Sequence, residues 1–497
     1  VPAHQGARYR KDAPAAGAEA VPSDEGDAEA DEGDEAETSK AKARVLWVED
    51  IPAGRFYLRA GLGRKSTGSY YTPDAFVRFL VEKTLGPLVE ARSPVDDPQP
   101  LQLLALKVLD PAMGSGHFLV GACRYLADKL YEACRLCDEK AAEHTRRAEQ
   151  SPDAEARAAH TESAQDYLRR VEALPDPNDE LLAWLPSRAA PSEGAGLAQA
   201  RAVALCRRLV AVHCLYGVDK NPLAVELARL ALWLESYAEG LPLTFLDHRL
   251  VCGDALTGPF LEHLGTLPGQ GIDIDRQLFG RVGARLLQPT LAAALDHVRD
   301  LEASVGKDVA EVEAKRAAKA RLDAALGPLR RLAQVWSGGV LLGPEASNDP
   351  GYAALVTLAT HADADRDAAM EALLDGDNRL AAMRDAGASG VAFDLVFPEV
   401  FWPDGYGGGR RGFDAVLGNP PWDALKFSTK EFLASFDLRV LDAPTARERA
   451  AVEKELEASP EVQTRLRQAL EGFECQKRAN DRLYASQKVT VDGDLAG

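Results

Sequence analysis

The chain lacks the features of a membrane protein and of a disulfide-rich secreted protein. No uninterrupted apolar run in its 497 residues approaches the length of a membrane-spanning helix. Its seven cysteines, an odd number in a long chain, do not build a disulfide framework and favour a reducing cytoplasm. The start has neither an initiator methionine nor a charged-then-apolar pattern, so the sequence predicts no secretion signal. We therefore expect a cytoplasmic protein of two or three domains.

Several common functional motifs are also missing. Cys134 and Cys137 form a lone CxxC pair in a helical stretch without a second pair, so no metal is expected there. The glycine turn at residues 114–116 lacks the third glycine of the dinucleotide fingerprint. No period of 20–50 residues indicates a repeat array, and no convincing set of paired acids with a lysine indicates a nuclease.

The net charge of −19 does not by itself exclude a nucleic-acid partner. Residues 19–37 carry about half of the negative excess and contain no lysine or arginine, which is typical of a solvated, disordered tether. Binding of DNA depends on the local face around a site. Four basic residues flank the proline-rich turn described below: Arg410, Arg411, Lys426 and Lys430.

A helix is predicted to begin after the loop at residues 64–72. Thr72 is expected to cap this helix, with Pro73 as its first residue and Asp74 in its first turn. A helix start presents free N–H groups, which suits a carboxylate ligand. The same residues also fit a plain capped helix without a ligand.

The strongest local signal lies at residues 107–120. An apolar strand ends at Asp110, a Gly-Ser-Gly turn follows, and a helix begins near His117. Gly114 and Gly116 permit a tight turn and let a ligand approach the backbone closely. Because the pyrophosphate-binding pattern is absent, the turn points to an adenosyl group. His117 is interpreted as a helix-start or packing residue.

Two further predicted strands end in an acid. One ends at Asp219 and is followed by an amphipathic helix; the other ends at Asp254. A carboxylate at the end of the second strand of such a sheet is placed to accept hydrogen bonds from ribose hydroxyls. Asp254 could accept from an adenine amine.

A fourth strand-like run, residues 413–418, leads into Asn419-Pro420-Pro421-Trp422. The two prolines lock the backbone and remove two N–H donors, so the turn offers acceptors to a guest. Trp422 adds a flat apolar face. Such a site suits a planar group that bears an amine, for example a nucleobase taken out of its stack. In isolation the same residues also fit a rigid turn that closes a strand.

The order of these segments predicts an α/β fold with a Rossmann-like, doubly wound sheet, interrupted by large helical insertions. The expected segments are a disordered acidic stretch at 1–45, sheet-forming core at 46–125, a helical insertion at 126–210, cofactor-binding core at 211–258, a second helical insertion at 259–390, catalytic core at 391–430 and a helical C-terminal segment at 431–497.

The chain resembles the S-adenosylmethionine-dependent DNA adenine-N6 methyltransferases of the large restriction–modification and phage-defence type (type IIG-like, BREX and DISARM methylases). The resemblance is carried by Gly68–Pro73, Asp110–Gly116, Phe397–Phe401 and the Asn-Pro-Pro-Trp turn. It covers roughly residues 60–125, 212–258 and 391–430.

The resemblance implies S-adenosylmethionine as cofactor and double-stranded DNA as partner. The residues that would hold the cofactor, from its methionine end to its adenine end, are Thr72, Pro73, Asp110, Pro111, Ala112, Gly114, Gly116, Asp219, Asp254 and Ala255. The residues that would hold the target adenine and act in catalysis are Asn419, Pro420, Pro421 and Trp422.

The residue types suit this chemistry. An adenine amine is a poor nucleophile, and two acceptors, the Asn419 side-chain oxygen and the Pro420 carbonyl, could hold its two protons while the methyl group transfers. Positioning for in-line attack supplies much of the rate. Stacking of the base on Trp422 is worth about 1–3 kcal/mol, comparable to the cost of extruding the base.

The end of the chain departs from the family pattern. Family members have further strands and a target-recognition domain after the catalytic turn, whereas about seventy-five mostly helical residues follow here. We expect the sequence to be incomplete at this end, with a missing part or other defence-system subunits as partners. Two alternatives stay open: methylation of a protein glutamine or of RNA, and a non-catalytic DNA-binding subunit of a defence complex.

Overall fold

The protein divides into two units, Val1–Arg64 and Lys65–Gly497. In the first unit, β1 (Gly6–Lys11) pairs antiparallel with β2 (Val45–Ile51). The strand β1 lies inside residues 1–45, a segment expected to be disordered. Its hydrogen-bond partner is remote in the sequence, so no local pattern predicts this pairing. The computed structural model describes residues 6–11, 45–51, 72–176, 180–188, 195–269, 280–303, 306–360, 365–405, 411–420, 427–437, 439–443, 445–483, 489–491 and 494–496.

The second unit is mostly helical and contains a small parallel sheet. None of the helices in the described ranges is long and apolar enough to cross a membrane. Its helices are α1 (Asp74–Arg92), α2 (Pro100–Leu104), α3 (His117–Gln150), α4 (Ala154–Glu172), α5 (Glu180–Ala183), α6 (Ala195–His213), α7 (Pro222–Glu235), α8 (Gly280–Glu302), α9 (Val309–Leu342), α10 (Asp349–Thr360), α11 (Arg366–Gly376), α12 (Asn378–Ala386), α13 (Phe393–Val396), α14 (Pro398–Phe401), α15 (Thr429–Ala434), α16 (Arg439–Asp442), α17 (Ala446–Glu457) and α18 (Pro460–Leu483), with a 3₁₀ turn at Leu261–Gly265. Its strands are β3 (Val108–Asp110), β4 (Leu215–Asp219), β5 (Leu250–Cys252), β6 (Ala415–Val416), β7 (Val489–Val491) and β8 (Asp494–Ala496).

Four strands form the parallel sheet in the order β5-β4-β3-β6. Successive residues of a strand point to opposite faces, and here alternate residues enter different cores. Val108 and Leu215 belong to the core that α1, α3, α6 and α7 share, whereas Leu109, Tyr216 and Val218 pack against residues 391–401. Both faces of the central strands are therefore covered. This confirms the predicted mixed α/β class with a parallel sheet.

Small residues let helices approach α3 closely. A Cβ added at Gly121 would lie 2.8 Å from Cγ1 of Val77 on α1. A Cβ added at Gly116 would lie 3.1 Å from Cβ of Ala228 on α7. The predicted boundary at residue 126 falls inside α3, which runs without a break from the sheet into the segment interpreted as an insertion. Its buried face is one continuous part of the same core.

The helices between residues 280 and 386 build a second core. Trp336 of α9 is fully buried there and donates from Nε1 to Oγ1 of Thr266 at 3.1 Å. Tyr352 of α10 donates to the carbonyl of Leu264 at 2.7 Å. The second predicted insertion is thus a packed helical body with its own apolar interior.

Buried charges join this body to the amino-terminal ends of the strands. Arg249, directly before β5, pairs with Glu302 at the end of α8 and lies 4.4 Å from the ring centroid of Tyr216. Lys107, directly before β3, lies 3.6 Å from the same Glu302 carboxylate and donates to the carbonyl of His213 at 2.9 Å. Arg249 is the fully buried member of this set, and loss of its partner Glu302 would leave a buried charge uncompensated, which is strongly destabilising.

A glycine contact between α9 and α12 provides a test of the helical body. An alanine Cβ at Gly338 would overlap the backbone carbonyl oxygen of Met383, and a backbone atom yields less readily than a flexible side chain. We expect Gly338→Ala to lower the free energy of unfolding by about 1–3 kcal/mol, measured by chemical denaturation.

The matched control is Gly472→Ala, at an exposed position of α18 where an added Cβ meets nothing within 4 Å. Alanine is favoured over glycine in a helix by about 1 kcal/mol, so the control should unfold at the same or higher denaturant concentration. Equal midpoints for Gly338→Ala and the unmodified protein would contradict the close approach of α9 and α12.

Candidate active site

The parallel register brings the predicted site residues to one edge of the sheet. Asp110 lies opposite Gly217 on β4, and Val416 of β6 lies opposite Leu109 of β3. The carboxyl ends of β3, β4 and β6 are therefore side by side, where open α/β sheets bind ligands. Asp110, Asp219 and Asn419 stand at or just beyond these ends.

The glycine turn after β3 crosses over the end of β4. Gly114 and Gly116 have φ angles of 53° and 82°, in the left-handed region that favours glycine. The N–H of Met113 donates to the carbonyl of Val218 at 3.0 Å. The helix α3 begins at His117, as predicted, with Gly116 as its cap. Pro111 and Ala112 lie in the first part of this turn.

Asp219 holds two backbone segments together. Its Oδ2 accepts from the N–H of Gly114 at 2.8 Å, and its Oδ1 accepts from the N–H of Asn221 at 2.8 Å. Asn221 in turn caps α7 by accepting from the N–H of Leu223 at 3.0 Å. The acid at the end of the second strand thus fixes the glycine turn as well as the start of the next helix.

Asp110 is a buried carboxyl group with an altered pKa. It is only 1% exposed, and this desolvation raises its pKa from the ordinary value of 3.8 to about 7. A hydrogen bond from the N–H of Ala112 at 3.1 Å opposes the shift, whereas the negative charge of Asp219 adds to it. Groups with such shifts cluster at functional sites, which makes Asp110 a site candidate on physical grounds.

Asn419 reaches the site from a remote part of the chain. The residue before it, Gly418, lies over Asp110, because an added Cβ would be 2.7 Å from Oδ1 of Asp110. The Nδ2 of Asn419 donates to Oγ1 of Thr72 at 3.3 Å. The segment before α1, the end of β3 and the residues after β6 therefore meet at one place.

The predicted cap of α1 is wrong by one residue. The cap is Pro73 and the first helical residue is Asp74; no side chain caps the helix. The carbonyl of Pro73 accepts from the N–H groups of Phe76 and Val77. The hydroxyl of Thr72 contacts Asn419 instead of its own helix, which explains the difference.

Asp254 follows β5 by two residues and is 6% exposed. Its Oδ1 accepts from the N–H of Leu256 at 2.9 Å. Its Oδ2 lies 3.1 Å from Nζ of Lys220 and accepts from Nε2 of Gln476 on α18 at 3.4 Å. Ala255 beside it packs partly buried against the residues 391–401 core. A ligand amine at Asp254 would therefore share this carboxylate with two protein side chains.

Part of the predicted site lies outside the described residues. Pro421 and Trp422 belong to this part, as do Arg410 and Lys426 of the basic flank. Pro420 and Lys430 are exposed, and Arg411 pairs with Asp404 at 2.5 Å between guanidinium and carboxylate.

Asp414 is a positioning residue that sequence reasoning missed. Its Oδ2 accepts from the backbone N–H of Lys107 at 2.8 Å, and its Oδ1 pairs with Arg92 at 2.8 Å. These bonds hold the start of β6 beside β3 and so place Gly418 and Asn419 over Asp110. No local pattern distinguishes Asp414 from a surface acid, because both partners are remote in the sequence.

The motif at residues 397–401 packs against one face of the sheet. Phe397 is fully buried and meets Tyr216 edge to face at 5.1 Å between ring centroids. Phe413, just before β6, packs edge to face on Tyr216 at 5.2 Å and on Phe401 at 5.7 Å. This aromatic cluster makes the motif a packing element of the core behind the candidate site.

A glycine turn and acids at the carboxyl edge of a small parallel sheet are compatible with a methyltransferase fold. Residues 213–440 match the sequence model of the Eco57I restriction-modification methylase family. The match covers slightly less than half of the 497 residues. It supports a methyltransferase of the restriction-modification type.

The matched range starts just before β4 and continues through β5 and β6 to α16. It includes the helical body at residues 280–386, in the segment that we interpreted as a second insertion and that the resemblance did not cover. No curated protein and no solved structure matched the chain.

The burial of Asp110 predicts a pH-dependent stability. Because its folded pKa of about 7 exceeds the ordinary 3.8, the neutral form is favoured in the fold. Stability from this group is fully present below the ordinary value of 3.8 and is lost as the pH rises from there to about 7. Asp110→Asn stays neutral, so we expect its stability relative to the unmodified protein to be higher at pH 8 than at pH 5 by roughly 2–3 kcal/mol, and the difference to be smallest below about pH 4.

Urea unfolding at both pH values measures this difference. Asp96→Asn, at an exposed carboxylate, is the matched control. Its difference in unfolding free energy from the unmodified protein should be the same at pH 5 and pH 8. A difference between Asp110→Asn and the unmodified protein that is the same at pH 5 and pH 8 would rule out the shifted pKa.

Proposed function

We propose that this chain is an S-adenosylmethionine-dependent DNA adenine-N6 methyltransferase of a restriction–modification or phage-defence system, built on a Rossmann-like, doubly wound sheet. The observation that carries the proposal is the meeting of Asp110, Asp219 and Asn419 at one carboxyl edge of a parallel sheet. The family match over residues 213–440 supports the same class of reaction. Both faces of the central strands are covered by packed elements, which supports a doubly wound sheet.

The acids at this edge fit the cofactor's chemistry. A carboxylate has about four acceptor sites, and each oxygen of Asp219 accepts one backbone N–H. Acceptor capacity therefore remains for ribose hydroxyls. The cofactor carries a cationic sulfonium and an ammonium group, and a nearby cation favours the ionised form of a buried acid such as Asp110.

The base would be held beside the donor by the residues after β6. S-adenosylmethionine, when bound, supplies the methyl group. The side-chain oxygen of Asn419 and the carbonyl of Pro420 would accept hydrogen bonds from the two N–H groups of the adenine amine. This pairing favours a pyramidal nitrogen that faces the methyl group, and fixed acceptors of this kind need no reorganisation during the transfer. The methylated nitrogen would then release one proton to solvent at this exposed edge.

DNA is the proposed partner. In a duplex the adenine amine is buried in a base pair, so it would reach this exposed edge only after the base is extruded. Enzymes that act on a base generally take it out of the stack, at a cost of a few kcal/mol. Asn419 and Pro420 are both exposed, which leaves room for a base to enter. Other subunits of the defence system are proposed partners that would supply sequence recognition.

Transfer of a tritiated methyl group tests the proposed reaction. The purified protein with labelled S-adenosylmethionine should label unmethylated double-stranded DNA, and digestion should give N6-methyladenine. Asn419→Ala should lower the turnover number at least about 100-fold, because an acceptor used in the transition state is lost. Cofactor affinity, measured by calorimetry, should stay nearly the same.

The matched control is Asn378→Ala, the same change at an exposed position at the start of α12, which should keep full activity. RNA and total cell protein serve as competing substrates. Label on RNA or on protein glutamine in place of DNA would replace the proposed substrate, and cofactor binding without transfer to any of the three would favour a non-catalytic subunit.

Asp219→Asn tests the assigned cofactor site. The asparagine keeps the size of the side chain but offers only one acceptor oxygen. We expect the dissociation constant for S-adenosylmethionine to rise about 10- to 100-fold, the cost of losing a hydrogen bond to a charged group.

Glu226→Gln, an exposed acid-to-amide change on α7, is the control and should bind the cofactor normally. Thermal unfolding of both variants reports whether the turn around Gly114 stays intact. An unchanged dissociation constant for Asp219→Asn would remove Asp219 from the ribose site.

A further inference from the structure

The helix α7 exposes a row of leucines to solvent. Leu223, Leu227, Leu230 and Leu234 are 66, 46, 47 and 71% exposed. The opposite face of the same helix is buried in the core through Ala224, Val225, Ala228 and Leu232. The helix is therefore apolar on both sides, and only one side has a partner within the described part of the chain.

The spacing of the exposed leucines is that of a helix–helix seam. They follow one another at intervals of four, three and four residues, the repeat of the a and d positions in a coiled coil. Tyr237, three residues further on, continues the row beyond the end of the helix and is 61% exposed. We call these five side chains the leucine row. Their spacing suits a second helix more than an irregular peptide.

The row carries no charge that would attract a nucleic acid. The nearest exposed charge, Glu226, pairs with Arg229 at 2.7 Å on the same helix. Arg229 is held further by the carbonyl of Leu250 at 2.9 Å. Centres of protein interfaces are poor in charged residues, whereas nucleic-acid sites are rich in free cations. A protein helix with an apolar face is the complementary partner.

The row is nearly symmetric about Leu230. Leu223 and Tyr237 are each seven residues from it, and Leu227 and Leu234 are three and four residues from it. An antiparallel copy of the same helix, related by a two-fold axis at Leu230, would bring each member opposite another apolar member. Two-fold contacts between identical patches are the commonest mode of self-association. We propose that α7 forms the centre of a homodimer interface through the leucine row.

The exposed area agrees with this role. Large apolar patches on a monomer, beyond roughly 300–600 Å², mark interaction sites. A stable dimer needs about 800 Å² from each partner. The five side chains are each about half exposed or more and together expose several hundred Å², so in a stable dimer the row would be the centre of an interface that is completed by further contacts.

The proposed interface does not compete with the candidate site. The buried face of α7 lies against the glycine turn through Ala228 and Gly116, and the leucine row is on the other face of the helix. A dimer could form through α7 whether or not the chain is a methyltransferase. The inference therefore stands apart from the proposed function.

Sedimentation equilibrium tests the dimer. The unmodified protein should be dimeric at micromolar concentration, and Leu230→Glu should be monomeric, with the dimer dissociation constant raised more than 100-fold. Val309→Glu, the same kind of change at a 66% exposed valine of α9, should stay dimeric. Thermal unfolding midpoints of the two variants confirm that both are folded.

A cysteine cross-link tests the axis itself. Cys252 and Cys475 are replaced by serine, because they are the described cysteines with exposed or partly exposed side chains. In this background Leu230→Cys should form a disulfide-linked dimer on oxidation, since the two-fold axis places residue 230 beside its own copy, whereas Val309→Cys should not. An unmodified protein that is monomeric at all concentrations, a Leu230→Glu variant that stays dimeric, or equal cross-linking of both cysteine variants would overturn the proposal.

Discussion

The desolvated carboxyl group of Asp110 is the constraint on which the candidate site depends. It is enclosed by the glycine turn that follows β3 and by Gly418, where an added Cβ would lie only 2.7 Å from Oδ1 of Asp110. Burial and the nearby charge of Asp219 both disfavour its ionised form. Burial of the Asp110 carboxylate therefore lowers the stability of the folded protein. In the proposed function the same two acids would favour a cationic guest, so the unfavourable burial and the binding capacity have one physical origin.

Packing and chemistry occupy opposite ends of the sheet. At the amino ends of the strands, the buried Arg249 and the partly buried Lys107 form ionic contacts with Glu302 of the second helical body. At the carboxyl ends, the acids and Asn419 face the edge where ligands bind in open α/β sheets. The aromatic cluster around Phe397 lies behind the sheet and keeps β6 beside β3. The stabilising contacts are thus separate from the residues assigned to the reaction.

Helices do more in this protein than interrupt a sheet. The helix α3 starts at the glycine turn and extends well into the region that composition alone marks as an insertion. The long helix α9 and its neighbours have an apolar core of their own and lie within the family match. The helix α7 contributes one face to the main core and leaves the leucine row outside. The helices α3 and α7 therefore link the glycine turn of the candidate site to parts of the protein away from it.

Much of the local structure could be predicted, because its causes are local. The strands that end at Asp110 and Asp219 and the helix start at His117 all follow from apolar runs and turn residues. The cap of α1 was predicted wrongly, because Thr72 is used by a residue far away in the chain. The sharing of Asp254 with Lys220 and Gln476 was not predicted for the same reason.

The sequence by itself determined the order of the parallel strands and of the helices between them, and that acids and a polar turn follow the ends of successive strands. Those features depend on backbone preferences and on the spacing of apolar residues, which act over a few positions. Only the tertiary structure decided that Asn419 meets Thr72, that Asp414 fastens β6 to β3, and that Asp110 loses contact with water. These depend on parallel pairing between strands that are separated by long helical segments. Such pairing brings side chains together although the residues next to them in the sequence show no pattern that predicts the contact.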